Sequence, residues 1–140
     1  MINSFRGRYA FLSNFTVAPV VLDNAEYPSV EHAFQAAKTL NEKEREKIRK
    51  APSAGTAKKL GRSVTLRKDW NILRIEVMKD LLRQKFVKYD DFRSALMATG
   101  SEELQEGNYW NDRFWGTVDG QGENHLGKLL MRIREELRNQ

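Results

Sequence analysis

Apolar residues recur at three- and four-residue steps over residues 69–88, through Trp70, Leu73, Val77, Met78, Leu81, Leu82 and Phe86, with Asp69 placed to cap the first turn. That spacing predicts a long helix with one apolar stripe for the core. A second stripe, Leu126, Leu129, Leu130, Ile133 and Leu137, predicts a closing helix over residues 126–137. Between the two, Asp90 or Asp91 is positioned to cap a helix that runs to Thr99 and stops at Gly100. Nearer the start the period changes: Val17, Ala18, Pro19, Val20, Val21 and Leu22 followed by Asp23-Asn24 read as a small hairpin within residues 9–27. Pro28 disfavours helix at Tyr27, and Ser29 is a suitable N-cap for a helix reaching Lys38 or Leu40. Asn41 with Glu44 three residues on has the spacing of a capping box and opens a short charged helix to about Ala51-Pro52. Residues 53–60 predict another helix, closed by Gly61. From Gly107 to Glu123 the density of Asn, Asp and Gly leaves no room for a long regular element. The expected fold is mainly α and compact, a single domain over residues 1–140 with a small β-hairpin near the N-terminus.

Length and composition support this. A chain of 140 residues, 40% hydrophobic and 31% charged, can bury a core without staples. The absence of cysteine excludes a disulfide framework, a thiolate zinc cluster and a thiol nucleophile. No signal-peptide pattern opens the chain and no apolar run has the length of a membrane span, so the expected address is the cytosol and no membrane partner is expected. The Asn14-Phe15-Thr16 glycosylation triplet then has no machinery to meet. A net charge of +5 favours phosphate-bearing ligands or simply solvates the surface, and Lys47, Arg49, Lys50, Lys58, Lys59, Arg62, Arg67 and Lys68 concentrate it in one segment.

Three clusters carry candidate chemistry. On the residue 29–40 helix, Glu31, Gln35 and Lys38 follow an apolar stripe of Val30, Phe34 and Ala37. Seven residues advance a helix by about 700°, so Glu31 and Lys38 share a face with Gln35 between them. Ala33, Ala36 and Ala37 allow neighbours to approach closely, which suits a cavity wall; an ordinary solvated face has the same spacing. The second cluster joins Asn111, Asp112, Arg113, Phe114, Trp115 and Gly116 to Gly122, Glu123, Asn124, His125, Leu126 and Gly127. Such loops bring a carboxylate and a flat ring together, or use the tryptophan to plug a core. The third, residues 5–15, surrounds Ser13 and Asn14 with aromatics that can stack a base or fill the core, while Arg6, Ser13 and Asn14 offer polar groups. Neither histidine stands in a metal-ligand spacing, and Gly120-Gln121-Gly122 lacks the third glycine of a dinucleotide fingerprint.

Taken in order, these segments resemble the YbiA-like or NADAR family. The shared pieces are Gly7-Arg8-Tyr9-Ala10-Phe11-Leu12-Ser13-Asn14-Phe15, Tyr27-Pro28-Ser29-Val30-Glu31-His32-Ala33-Phe34-Gln35-Ala36-Ala37-Lys38, Ala57-Lys58-Lys59-Leu60-Gly61-Arg62, Trp70, Val77-Met78, Lys85-Phe86, Thr99-Gly100, Asp112, Trp115-Gly116 and Asn124-His125-Leu126-Gly127 with Leu130-Met131. Each piece alone is weak; their order over nearly the whole chain is not. The resemblance implies a compact helical fold and an N-glycosidase that acts either on ADP-ribose attached to guanine or on ribosylamino-pyrimidine phosphates of riboflavin synthesis. It implies Glu31, Lys38 and Asp112 as catalytic residues, with Arg6, Gly7, Ser13, Asn14, Phe15, Trp70, Trp115, Gly116 and Asn124 on the substrate. The expected partners are an ADP-ribose or ribosyl-phosphate compound, or ADP-ribosylated DNA or RNA, with no cofactor or metal.

These residue types suit the reaction. Cleavage of a C1′–N bond builds oxocarbenium character on the ribose, which an ionised Glu31 or Asp112 stabilises while activating water. Lys38 serves either as proton donor to the leaving base or as nucleophile at C1′. A non-catalytic ADP-ribose-binding module would use the same aromatic and basic groups, and a helical interaction protein is the third class.

Overall fold

Asp23 and Asn24 both take positive φ, at 47° and 69°, and join strand β1 (Val17–Leu22) to β2 (Ala25–Ser29) in the backbone geometry that matches strand twist. Leu22 pairs with Ala25 and Val20 with Tyr27, and the register slips between Val17 and Val20. Pro19 lies in that slip, where a residue without an N–H cannot serve the ladder. The computed structural model describes all of residues 1–140. Helices follow as α1 (Val30–Ala37), α2 (Glu42–Arg49), α3 (Ala54–Gly61), α4 (Trp70–Lys88), α5 (Asp90–Ala98) and α6 (His125–Arg138). The fold is mainly helical with one small hairpin, as the apolar periodicity predicts.

The chain forms two compact units, Asn14–Lys85 and Met1–Ser13 with Phe86–Gln140. In the first, the hairpin runs straight into α1, and α2 and α3 pack on α1 as well. All eight residues of α1 are buried, so this helix has no solvent face. Its alanines make that possible: Ala33 and Ala36 are fully enclosed and let three neighbours approach. The second unit is built around α5 and α6, with Leu96, Leu104, Leu126, Leu130 and Ile133 in its core. Arg134 is buried there and donates from Nη1 to Thr99 Oγ1 at 2.9 Å.

Side-chain caps open the three helices α1, α2 and α3. Ser29 Oγ accepts from the His32 N–H at 3.1 Å, Asn41 Oδ1 from Glu44 at 3.0 Å and Ser53 Oγ from Thr56 at 3.1 Å. The capping box at Asn41 is only half made, because the Glu44 carboxylate accepts from Thr39 Oγ1 at 2.7 Å and from the Thr65 N–H at 3.0 Å.

Three local expectations need correction. Residues 7–12 form a 3-10 helix rather than the start of the hairpin, with short-range bonds such as Tyr9 N–H to the Arg6 carbonyl. Tyr89, not an aspartate, is the N-cap of α5; Asp90 and Asp91 lie in its first turn, where their charge favours the helix dipole. Gly61 is the last residue of α3 and has no positive φ, so it does not close the helix as a left-handed cap; Gly100, at φ 63°, does so after α5.

Lys85, near the end of α4, is fully buried, and burial pushes its amine down from 10.5 to about 7. Between about pH 7 and 10.5 the unfolded chain keeps a proton that native Lys85 has released. Stability therefore rises with pH across that window, by at most about 1.4 kcal/mol per pH unit. Lys85→Met is expected to raise the urea midpoint most at pH 6.5 and to flatten the rise between pH 7 and 9. A wild-type midpoint that stays level over that range would contradict this.

Candidate active site

In a helix with no wet face, each polar side chain must find a partner inside the protein. His32 does so completely: Nδ1 meets Ser29 Oγ at 2.7 Å and Nε2 meets the Ala51 carbonyl at 3.0 Å. Because a carbonyl only accepts, Nε2 carries the proton and Nδ1 accepts from the serine. His32 is thus a structural clamp between α1 and Ala51, just beyond the C-cap of α2.

Glu31 is 7% exposed, one turn ahead of Gln35, whose Nε2 donates to Glu31 Oε2 at 2.6 Å. The Glu31 N–H donates to the Asn14 carbonyl at 3.1 Å, which ties the start of α1 to the segment before β1. Asn14 is itself buried, with Nδ2 3.5 Å from Met78 Sδ and its Oδ1 enclosed without a hydrogen-bond partner. Lys38, the half-buried C-cap of α1, senses the same carboxylate. Burial lowers its amine, the Glu31 charge acts in the opposite direction, and the cations Arg62 and Lys58 lower it further. The structure therefore brings Glu31 and Gln35 of α1 together with its C-cap Lys38, and Lys58 of α3 and Arg62 at its C-cap are close enough to act on Lys38.

Phe15 is 46% exposed, and the Lys58 ammonium stands 5.9 Å from its ring centroid. Trp70 differs: it is 6% exposed and tilted against Phe34 at 5.1 Å, so most of its surface packs in the interior.

The loop before α6 supplies the other residues. Asp112 Oδ1 accepts from the N–H groups of Phe114 at 3.1 Å and Trp115 at 2.9 Å, so this carboxylate shapes the loop that carries the tryptophan. Asn108 holds Asp112 in turn: its Oδ1 accepts from the Asp112 N–H at 3.0 Å and its Nδ2 donates to the Asp112 carbonyl at 2.9 Å. Trp115 is half-buried and sits edge-on to Phe114, centroids 4.9 Å apart, while Phe114 packs on His125 at 4.5 Å. A Cβ at Gly116 would overlap Glu106 and press on Asn108, so Gly116 serves close approach. Asn124 is left-handed at φ 55°, accepts from the Glu106 N–H at 3.0 Å and donates to the Leu104 carbonyl at 2.9 Å. Both ends of its amide hold loop backbone.

Arg6 is exposed, with its guanidinium 5.2 Å from the Tyr109 ring centroid, in a cleft of about 400 Å³ that Asn3, Ser4, Asn108, Thr117 and Asp119 also line. Gly7 follows at φ 57°, and the half-buried Ser13 ends the 3-10 helix by donating its N–H to Ala10. The sequence places Gln35 on the Glu31–Lys38 face without giving it a role, shows Asn108 only as a polar residue four before Asp112, and carries no signal for Tyr109.

The fold has its counterpart among known proteins. The NADAR domain family matches residues 3–138. The N-glycosidase YbiA of Escherichia coli is 42% identical over 132 residues, covering 92% of this chain and 82% of that protein. An N-glycosidase of Nostoc punctiforme is 38% identical over 137 residues, covering 94% and 87%. A riboflavin biosynthesis protein of Vibrio vulnificus is 39% identical over 132 residues, which span 36% of its length. The NMR structure of Escherichia coli YbiA matches with a TM-score of 0.84 and 39% identity, over 99% of this chain and 88% of that one. The class is that of N-glycosidases, hydrolases of N-glycosyl bonds. Within it, the chain belongs to the NADAR family. No helix is long and apolar enough to cross a membrane.

Asn124→Ala strips partners from two loop backbone groups and leaves a left-handed φ to an alanine. A loss of about 2–4 kcal/mol in urea unfolding is expected. A variant within 0.5 kcal/mol of wild type, as is usual of surface substitutions, would show that the amide does not hold the loop.

Proposed function

We propose that the protein hydrolyses the C1′–N bond between ADP-ribose and guanine, in a nucleoside or in DNA, with Glu31 and Lys38 as its reacting groups. The observation that carries this reading is the pairing on α1 of an enclosed carboxylate with an amine lowered by burial. An ionised Glu31 beside C1′ offsets the positive charge that grows on the ribose and takes a proton from the attacking water. Lys38, more acidic than a free lysine, gives its proton to the departing base nitrogen, or attacks C1′ as an amine. In either course water oxygen ends on C1′ and the base leaves with a proton.

Two features support a diphosphate-bearing substrate. Lys58 and Arg62 add positive charge next to Lys38, where a pyrophosphate finds partners. Phe15, half-exposed under Lys58, offers a face for a ring to stack on. On this reading Asn14 contributes its enclosed Oδ1 as an acceptor and Trp70 supports Phe34 from behind. In the other unit, Asp112 orders the loop that carries Trp115, and Arg6 lines a cleft with Tyr109.

The Vibrio vulnificus relative favours a second reading, in which the substrate is a ribosylamino-pyrimidine phosphate. The same carboxylate and amine serve that bond, and only the leaving group and phosphate count differ.

The test is a product assay with purified protein on ADP-ribosylated guanosine, ADP-ribosylated DNA and ribosylamino-pyrimidine phosphate. Freed ADP-ribose from the first or second substrate is expected, and Glu31→Gln is expected to lower kcat by at least about a thousandfold with the fold intact. Release of ribose phosphate from the pyrimidine alone selects the second reading, and binding without product from any substrate selects a binding module. Lys38→Met is expected to abolish the alkaline limb of the pH–rate profile, which in wild type lies below 10.5 because burial lowers the amine. An unchanged alkaline limb in the variant would remove Lys38 as the proton donor.

A further inference from the structure

Gln35 is 5% exposed, and its Nε2 donates to Glu31 Oε2 at 2.6 Å. Its other end has no hydrogen bond, since Oε1 is enclosed without a partner. Oε1 faces Gly61, where an added Cβ would overlap the oxygen and come within 2.7 Å of Cδ and 3.0 Å of Cβ of Gln35. Gly61 lies in the last turn of α3 without positive φ, so its backbone conformation does not require glycine. What requires glycine is the volume of Gln35.

An enclosed acceptor with no donor is a cost that leucine or methionine of similar size would avoid. A glutamine in this place acts through its other end. We propose that Gln35 is the positioning residue for Glu31, locked by Gly61, and that its amide N–H holds the carboxylate in one plane in its basic, accepting form. The proposal rests on the reading of Glu31 as the carboxylate of the reaction, and it divides the roles: Glu31 accepts a proton and faces the ribose cation, and Lys38 supplies the proton. The other charged groups acting here are Lys38 from the same helix and Lys58 and Arg62 from α3, all cations, so Gln35 adds a directed donor to a field that already favours an anion.

Two variants test this. Gln35→Met keeps the volume and removes the donor, and Gly61→Ala drives the intact amide off its position. Each is expected to lower kcat roughly ten- to a hundredfold, as loss of a bond to a charged group does, with KM within about twofold. The urea midpoint of Gln35→Met is expected to stay near wild type, because the stranded oxygen and the bond to Glu31 are lost together. In single-turnover assays, adding Gln35→Met to Glu31→Gln should cost nothing further, since both act at one carboxylate. Wild-type kcat in Gln35→Met, with Glu31→Gln inactive, overturns the positioning role and leaves the function of Glu31 standing. A loss of activity in both variants that follows their folded fraction overturns it too. If Glu31→Gln itself turns over normally, the reading of the carboxylate fails instead.

Discussion

Everything in the Asn14–Lys85 unit answers to one constraint: a helix enclosed on all sides carries a carboxylate, an imidazole and a carboxamide. Helices buried all round are ordinarily apolar, because a polar group without water or a partner costs free energy. α1 meets the cost by local pairing. The imidazole closes a chain from the Ser29 hydroxyl to the Ala51 carbonyl, and the carboxamide bonds the carboxylate one turn back. The hairpin, α2 and α3 come close because the remaining positions are alanine, valine and phenylalanine, and because Gly61 yields its side-chain volume.

Partner supply is incomplete where the chemistry is read. The oxygens of Asn14 and Gln35, both tied to Glu31 through other atoms, lie in the interior without donors. The amine of Lys38 is lowered in the same neighbourhood. A core selected only for stability would have replaced such groups by apolar ones. On the proposed reading of Glu31 and Lys38, these groups are preorganised polarity kept at the expense of stability.

The loop before α6 solves a different problem with similar means. Short backbone bridges, Gly107 to Thr117 and Val118 to Gln121, are completed by side chains: Asp112 is fixed by Asn108, the turn to Trp115 by the Asp112 carboxylate, and the segment entering α6 by Asn124. Each of these side-chain bonds ends on backbone, so the loop has the definition of a secondary-structure element without its repeat. The same short polar side chains that forbid a helix there are the ones that build the loop.

Periodicity was enough to determine the helices and the hairpin, because caps, turn residues and apolar stripes act within a few residues of chain. Ser29, Asn41 and Ser53 open helices as their side chains dictate, and Asp23-Asn24 turns the hairpin. The spacing of Glu31, Gln35 and Lys38 was legible too, as was the family order of motifs. Spacing could not say whether that face was wet or dry, since burial depends on what packs from α3 and the hairpin. Nor could it distinguish a glycine that ends a helix from one that makes room for a neighbour: Gly61 and Gly100 look alike in the chain. Only the tertiary structure set Gln35 against Gly61 and Asn108 against Asp112, because contacts between residues far apart in sequence, or through an irregular loop, leave no period to read.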